Sequence, residues 1–150
     1  MPATQVWERV FVGSLHDAGD LARSNPHWIT TAISLCSEPI RVKSFGLNYV
    51  QFPLADNRGI LVGEFERIIH AIGENVRRGR VLVHSYGGMI RSPIVTAAWM
   101  RVCGYKSIDD ALLEIAAICS IISTESNALL VSIRRRLRRT QSQSSYLSDT

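Results

Sequence analysis

The chain predicts an α/β fold, a sheet with helices on both faces, and three observations carry that prediction. In the first half, short β-branched and aromatic runs bounded by Gly, Pro, Asn and Ser alternate with segments whose apolar residues recur at helical spacing. One such run, Arg80–Val83, feeds a glycine-containing loop and then a long apolar segment, the strand–loop–helix order of an α/β unit. Beyond that point three helical segments follow one another with no strand between them.

Val6 to Gly13 is β-branched and aromatic enough for a first strand, and Gly13-Ser14 stops it. Ser14 caps a short helix through about Ser24, with Asp17 near its positive end, and Asn25-Pro26 breaks it. Trp28 to Cys36 reads as a strand buried on both faces for most of its length, and Leu47 to Phe52 as another, ended by Pro53. Leu54-Ala55-Asp56-Asn57-Arg58-Gly59 is a polar loop with turn chemistry. Ile60 to Arg78 carries apolar residues at 61, 62, 65, 68, 69, 72 and 76, which is helical spacing, and Gly79 ends it. After the Arg80–Val83 strand and its loop, a helix over Ile94 to Val102 closes at Gly104. Ser107 with Asp109 and Asp110 opens the next helix, Ile108 to about Cys119, and a last one runs from about Glu125 to Arg139. Residues 140–150 are polar and Ser-rich and are expected to be a disordered tail after a single domain over 1–139.

With 150 residues, 46% hydrophobic and 20% charged, the chain suits one globular domain with a real core. No apolar run reaches the roughly 18 residues that span a bilayer. Met1-Pro2-Ala3-Thr4-Gln5 is not a basic region followed by an apolar stretch, so no secretory signal is expected and a cytoplasmic location is the default. Cys36, Cys103 and Cys119 lie in apolar segments without metal-ligand spacing and read as buried thiols. The net charge of +4 is carried by arginine, 15 of 17 basic residues, five of them within Arg134–Arg139. No aromatic residue is interleaved there to stack on bases, so a solvated last helical turn is preferred over a nucleic-acid or membrane surface.

The stretch Val81-Leu82-Val83-His84-Ser85-Tyr86-Gly87-Gly88-Met89-Ile90-Arg91-Ser92 bears most on function. A strand, a tight loop with glycines and a helix N-terminus converge amide N–H groups and the helix dipole on one point, which favours an anion. Arg91 adds a planar fork that matches two oxygens of a phosphate. The pattern His84-Ser85-x-x-Gly88-x-x-Arg91-Ser92 resembles the phosphate loop of the cysteine-dependent protein tyrosine and dual-specificity phosphatases, with serine at the position of the nucleophilic cysteine. The resemblance covers about residues 6–139, is strongest over 80–104, and implies a four- to five-stranded mostly parallel sheet flanked by helices.

The resemblance also implies roles. Tyr86, Gly87, Gly88, Met89, Ile90 and Arg91 would surround a phosphate (or sulfate) ion, Arg91 also stabilising the transition state. Position 85 is the nucleophile's, and a thiolate there would form a phosphocysteine later hydrolysed by water. Ser92 would assist the departing thiolate, although a helix cap is an equally plain reading. Asp56, 29 residues before Ser85 in the polar loop, is the general acid by resemblance, against a simple turn-capping role. His84 would brace the loop, and Asn127 resembles a loop-supporting asparagine, without the usual upstream Arg-Pro pair. Neither metal nor other cofactor is expected, because the loop and Arg91 neutralise the charge a metal would otherwise meet.

Serine cannot replace cysteine in this chemistry. Its hydroxyl needs a general base, and an alkoxide leaves phosphorus far less readily than a thiolate. The chain is therefore expected to bind phosphate and fail to turn it over. Intact surroundings around one missing sulfur fit an engineered, substrate-trapping change better than drift; the alternative is a natural pseudophosphatase that binds phosphoproteins. The near match of Val83-His84-Ser85-Tyr86-Gly87 to a Gly-x-Ser-x-Gly elbow is set aside: position 83 is valine, and no histidine follows the serine. The compact chain has no insertion to wall a deep phosphotyrosine pocket, which favours dual-specificity phosphoprotein substrates. Met89 and Ile90 stand where phosphoinositide-directed relatives carry lysines, which argues against an inositol lipid; the basic last helix leaves an RNA 5′-phosphate open.

Overall fold

The structure, a computed structural model, describes residues 3–55, 58–87, 90–119 and 127–148, the last ten of these by backbone alone. Its strands are β1 (Thr4–Trp7), β2 (Val10–Gly13), β3 (Ile29–Ser34), β4 (Asn48–Gln51) and β5 (Arg80–His84). Its helices are α1 (Leu15–Asp20), α2 (Val62–Arg78), α3 (Arg91–Val102), α4 (Ile108–Ile118) and α5 (Ala128–Ser148). The five strands form one sheet in the order β1-β2-β5-β3-β4, parallel throughout except for β1.

The single strand expected over Val6 to Gly13 is a hairpin. The charged pair Glu8-Arg9 interrupts the apolar run, and Arg9 turns the chain in the left-handed region at φ 61°, so Trp7 comes to lie opposite Val10. Trp28 likewise stands outside β3: it holds φ 57° and is 78% exposed, whereas Ile29 and the run from Thr31 to Cys36 are buried.

Alternation along the strands divides the core in two. Val10, Val12, Ile33, Val81 and Val83 face the larger side, where Phe65, Ile68 and Ile72 of α2, Ile94 of α3, Ile115 of α4 and Leu129 of α5 cover them. Phe11, Ala32 and Leu82 face the other side, against Ala18, Leu21 and Ile40. In β5, Val81, Leu82 and Val83 are all fully buried, as a central parallel strand covered on both faces should be. Each such side chain contributes about 1.5–3 kcal/mol.

Helix ends follow local chemistry. Ser14 and Asp17 form a reciprocal cap on α1, Ser14 N–H donating to Asp17 Oδ2 at 2.8 Å and Asp17 N–H to Ser14 Oγ at 3.2 Å. That helix stops at Asp20 rather than Ser24. At the C-cap of α2, Gly79 answers crowding rather than a left-handed turn: its φ is 171°, and a Cβ there would sit 2.4 Å from Thr30 Oγ1. Gly104, at φ +109°, does turn the chain after α3. Cys103 caps the end of α3 and is exposed, unlike Cys36 and Cys119, so the expectation of three buried thiols fails at the helix end. Residues 128–148 contain neither glycine nor proline, and α5 runs on to Ser148 instead of stopping at Arg139.

Candidate functional site

The parallel strands β2, β5 and β3 deliver their C-terminal ends to one edge, with β5 in the middle. What leaves β5 there is flanked by what leaves β2 and β3, the crevice where open α/β sheets gather ligands. Ser85 is stitched to the β2 side, its N–H donating to Gly13 O at 3.4 Å, and Leu15 N–H donates to Tyr86 O at 3.1 Å. On the β3 side Leu35 N–H donates to His84 O at 2.9 Å.

Helix α3 begins at Arg91, three residues earlier than the expected Ile94, because proline is tolerated in a first turn where its missing N–H has no intrahelical acceptor. Its first intrahelical bond runs from Ile94 N–H to Ile90 O at 3.2 Å. Ile90 occupies the cap without a side-chain bond, so Ser92 is an internal first-turn residue and the reading of it as a cap is corrected. Its hydroxyl lies 3.2 Å from Ser85 Oγ, both groups buried. The two site hydroxyls named from sequence therefore meet at the N-terminus of a helix.

Arg91 is 9% exposed and held by backbone: Nη1 donates to Leu54 O at 2.8 Å and to Leu35 O at 3.4 Å. Leu35 O also accepts Leu54 N–H at 2.9 Å, which ties the segments after β3 and β4 together beneath the arginine. Leu54 is two residues before Asp56, so Arg91 also anchors the approach to the polar loop. Asp56 and Asn57, and Gly88 and Met89 of the loop after β5, lie outside the described residues. Tyr86 and Gly87 are exposed and Ile90 is half-buried.

His84 is fully buried and its Nε2 pairs with Ser34 Oγ of β3, to which register places it opposite. Burial pushes its pKa from 6.5 down to about 4, opposed by the Ser85 backbone and by the Asp17 carboxylate. A neutral imidazole engaged with Ser34 braces the base of the loop; it is no proton acceptor for Ser85. Cys36, just past β3, feels the Arg91 charge, though burial dominates and raises its thiol pKa. Asn127 Oδ1 accepts Leu129 N–H at 2.9 Å and Leu130 N–H at 3.4 Å, so this side chain caps α5. Sequence reading missed Ser34 and the carbonyls of Leu35 and Leu54; the first becomes visible only once β3 is paired to β5, and backbone acceptors leave no sequence mark. Among the described residues no group of three or more His, Cys, Asp and Glu side chains could hold a metal. No helix among them is long and apolar enough to cross a membrane.

The fold is that of the dual-specificity phosphatases. Human DUSP28 superposes with a TM-score of 0.80 at 21% identity, over 93% of this chain and 99% of its own. A mouse dual-specificity phosphatase complexed with zinc tungstate gives 0.82 at 22% identity, over 95% and 91% of the two chains. OH1 from the Orf virus, a tyrosine phosphatase with triple substrate specificity, gives 0.71 at 15% identity, over 93% and 86%. No family model matches the chain. The expected architecture, a four- to five-stranded, mostly parallel sheet flanked by helices, is observed with five strands.

Proposed function

We propose that this chain is a dual-specificity-like protein phosphatase domain that holds phosphotyrosine and phosphoserine/threonine residues of proteins, and that Ser85 at the nucleophile position stops it from hydrolysing them. The observation that carries the reading is the buried pair of Ser85 and Ser92 hydroxyls, 3.2 Å apart, at the N-terminus of α3 beside Arg91. With a thiolate at position 85, sulfur would attack phosphorus in line while the ester P–O bond breaks. Asp56 would give its proton to the departing oxygen. Water would then attack the phosphocysteine, Asp56 taking its proton, the S–P bond breaking and inorganic phosphate leaving. Ser92 Oγ would donate to the sulfur as it becomes a thiolate again.

Ser85 lacks the means to start this sequence. A hydroxyl needs a base, and the hydrogen-bond partner of Ser85 Oγ is another hydroxyl. The nearest imidazole in sequence, His84, is engaged with Ser34 and held neutral by burial. Phosphate binding does not need the nucleophile, because Arg91 and the helix N-terminus supply it. The mouse neighbour is described in complex with zinc tungstate, and tungstate is an oxyanion, which supports oxyanion binding by a chain of this fold.

The test is equilibrium binding of a phosphotyrosine and a phosphothreonine peptide to the chain, with released inorganic phosphate measured in parallel. Saturable binding of both, competed by inorganic phosphate and tungstate, with no release, is the expected result. Hydrolysis by the serine form, or no binding by the folded protein, overturns it. Reading codon 85 of the natural gene separates a trapping substitution from a natural pseudophosphatase, the second reading, favoured by serine in the gene.

A further inference from the structure

The segments that leave β2 and β3 flank the phosphate loop and then draw apart, leaving a groove on one side of it. One wall is α1, through Leu15 and Gly19; the other is residues 39–42, through Ile40, Arg41 and Val42. The groove encloses about 260 Å³ and is open to solvent along its length. It lies beside the loop after β5, because Leu15, one of its lining residues, donates its N–H to Tyr86 O at 3.1 Å and Tyr86 is itself exposed.

We propose that this groove seats an apolar side chain of the phosphoprotein, one or two residues from the phosphorylated position, with Arg41 selecting an acidic neighbour. The proposal rests on the phosphate-binding reading above and adds sequence preference to it. A peptide whose phosphate lies at Arg91 must pass over the rim of the loop, and on the Tyr86 side that rim is Leu15. The walls offered there are aliphatic: Leu15 is half-buried, Ile40 closes the floor as part of the smaller core, and Val42 stands 64% exposed. An apolar side chain withdraws area from water in such a groove; a polar one gains nothing. Charge complementarity points the same way. Asp20 on the α1 wall is already paired with His16 at 3.1 Å and Arg23 at 3.6 Å, whereas Arg41 is exposed and has no ion-pair partner among the described residues. Gly19 lines the groove beside open space, since a Cβ there would meet no heavy atom within 4 Å.

The test uses a panel of phosphopeptides in which one leucine moves from two residues before to two residues after the phosphorylated residue through a Ser, Asp and Gly background, together with inorganic phosphate. Binding is measured to the unchanged chain, to Gly19→Leu, whose Cβ enters open space, and to Val42→Asp, which alters an exposed wall. We expect one leucine position to bind about tenfold tighter than the leucine-free peptide. Both variants should abolish that preference while inorganic phosphate binds all three proteins equally. Equal binding of every peptide, with phosphate binding intact, overturns the groove assignment and leaves the phosphate site standing. A leucine preference that survives both variants also overturns it. Failure of inorganic phosphate and of all peptides to bind the folded chain removes the phosphate site and the groove's role together.

Discussion

Acid should destabilise this domain through one buried imidazole, and His84→Asn should remove most of that sensitivity. His84 is fully buried, and its folded pKa falls from 6.5 to about 4, chiefly because burial disfavours the charged ring. Above pH 6.5 the ring is neutral in both folded and unfolded chains, and the full stability is present. Below it the unfolded chain takes up a proton that the folded one refuses, so stability falls by about 1.4 kcal/mol per pH unit. The loss ends near pH 4, where the folded ring also protonates, after about 3 kcal/mol in all. That is a large part of the roughly 5–15 kcal/mol a domain possesses. Urea unfolding at pH 7, 6, 5 and 4.5 reads it directly. Asparagine can still bond Ser34 but does not titrate, and the carboxylates and the other histidines are common to both proteins, so the difference between the two curves isolates His84. Parallel curves would exclude His84 as the source of the acid sensitivity, as would a loss below about 1 kcal/mol in the unchanged protein.

Arg91→Met should lower stability by about 1–2 kcal/mol even without phosphate, because Leu54 O loses its 2.8 Å bond to the guanidinium. It should also weaken phosphate binding at least tenfold on the scale of charge-assisted pairs; unfolding midpoints unchanged in phosphate-free buffer would count against the structural role. Gly79→Ala should cost about 1–3 kcal/mol, since its Cβ would meet Thr30 Oγ1 at 2.4 Å and Cγ2 at 2.7 Å. Adding Thr30→Ala removes both atoms and should recover most of the loss; a double variant no more stable than Gly79→Ala alone would show that crowding is not the cause.

The centre of the fold was legible because several signals agreed there. Arg80–Val83 is β-branched, the loop carries glycines and an apolar-periodic segment follows, so strand, loop and helix each predict the next, although the helix starts at Arg91 rather than Ile94. The hairpin was not legible: Val6 to Gly13 reads as one strand unless Glu8-Arg9 is weighed as a turn, and no glycine marks it. The end of α5 was missed for the opposite reason, since a polar run without glycine or proline carries no stop signal. Within the site, the meeting of Ser85 and Ser92 followed from the motif, whereas the bracing of His84 by Ser34 depends on strand register between residues 50 positions apart. The second role of Arg91, holding the carbonyls of Leu35 and Leu54, depends on backbone atoms that no side-chain pattern announces. Asn127 was named for a motif position, and among the described residues its side chain caps α5 through Leu129 and Leu130 N–H.

The central claim is that one atom, oxygen in place of sulfur at position 85, separates a binding site from an enzyme. The most direct measurement is hydrolysis of a small aryl phosphate by Ser85→Cys beside the unchanged chain, without added metal. Our account predicts turnover by the cysteine form alone, lost in large part when Asp56→Ala is added. A cysteine form that binds phosphate and remains inert, or a serine form that turns the substrate over, would contradict it.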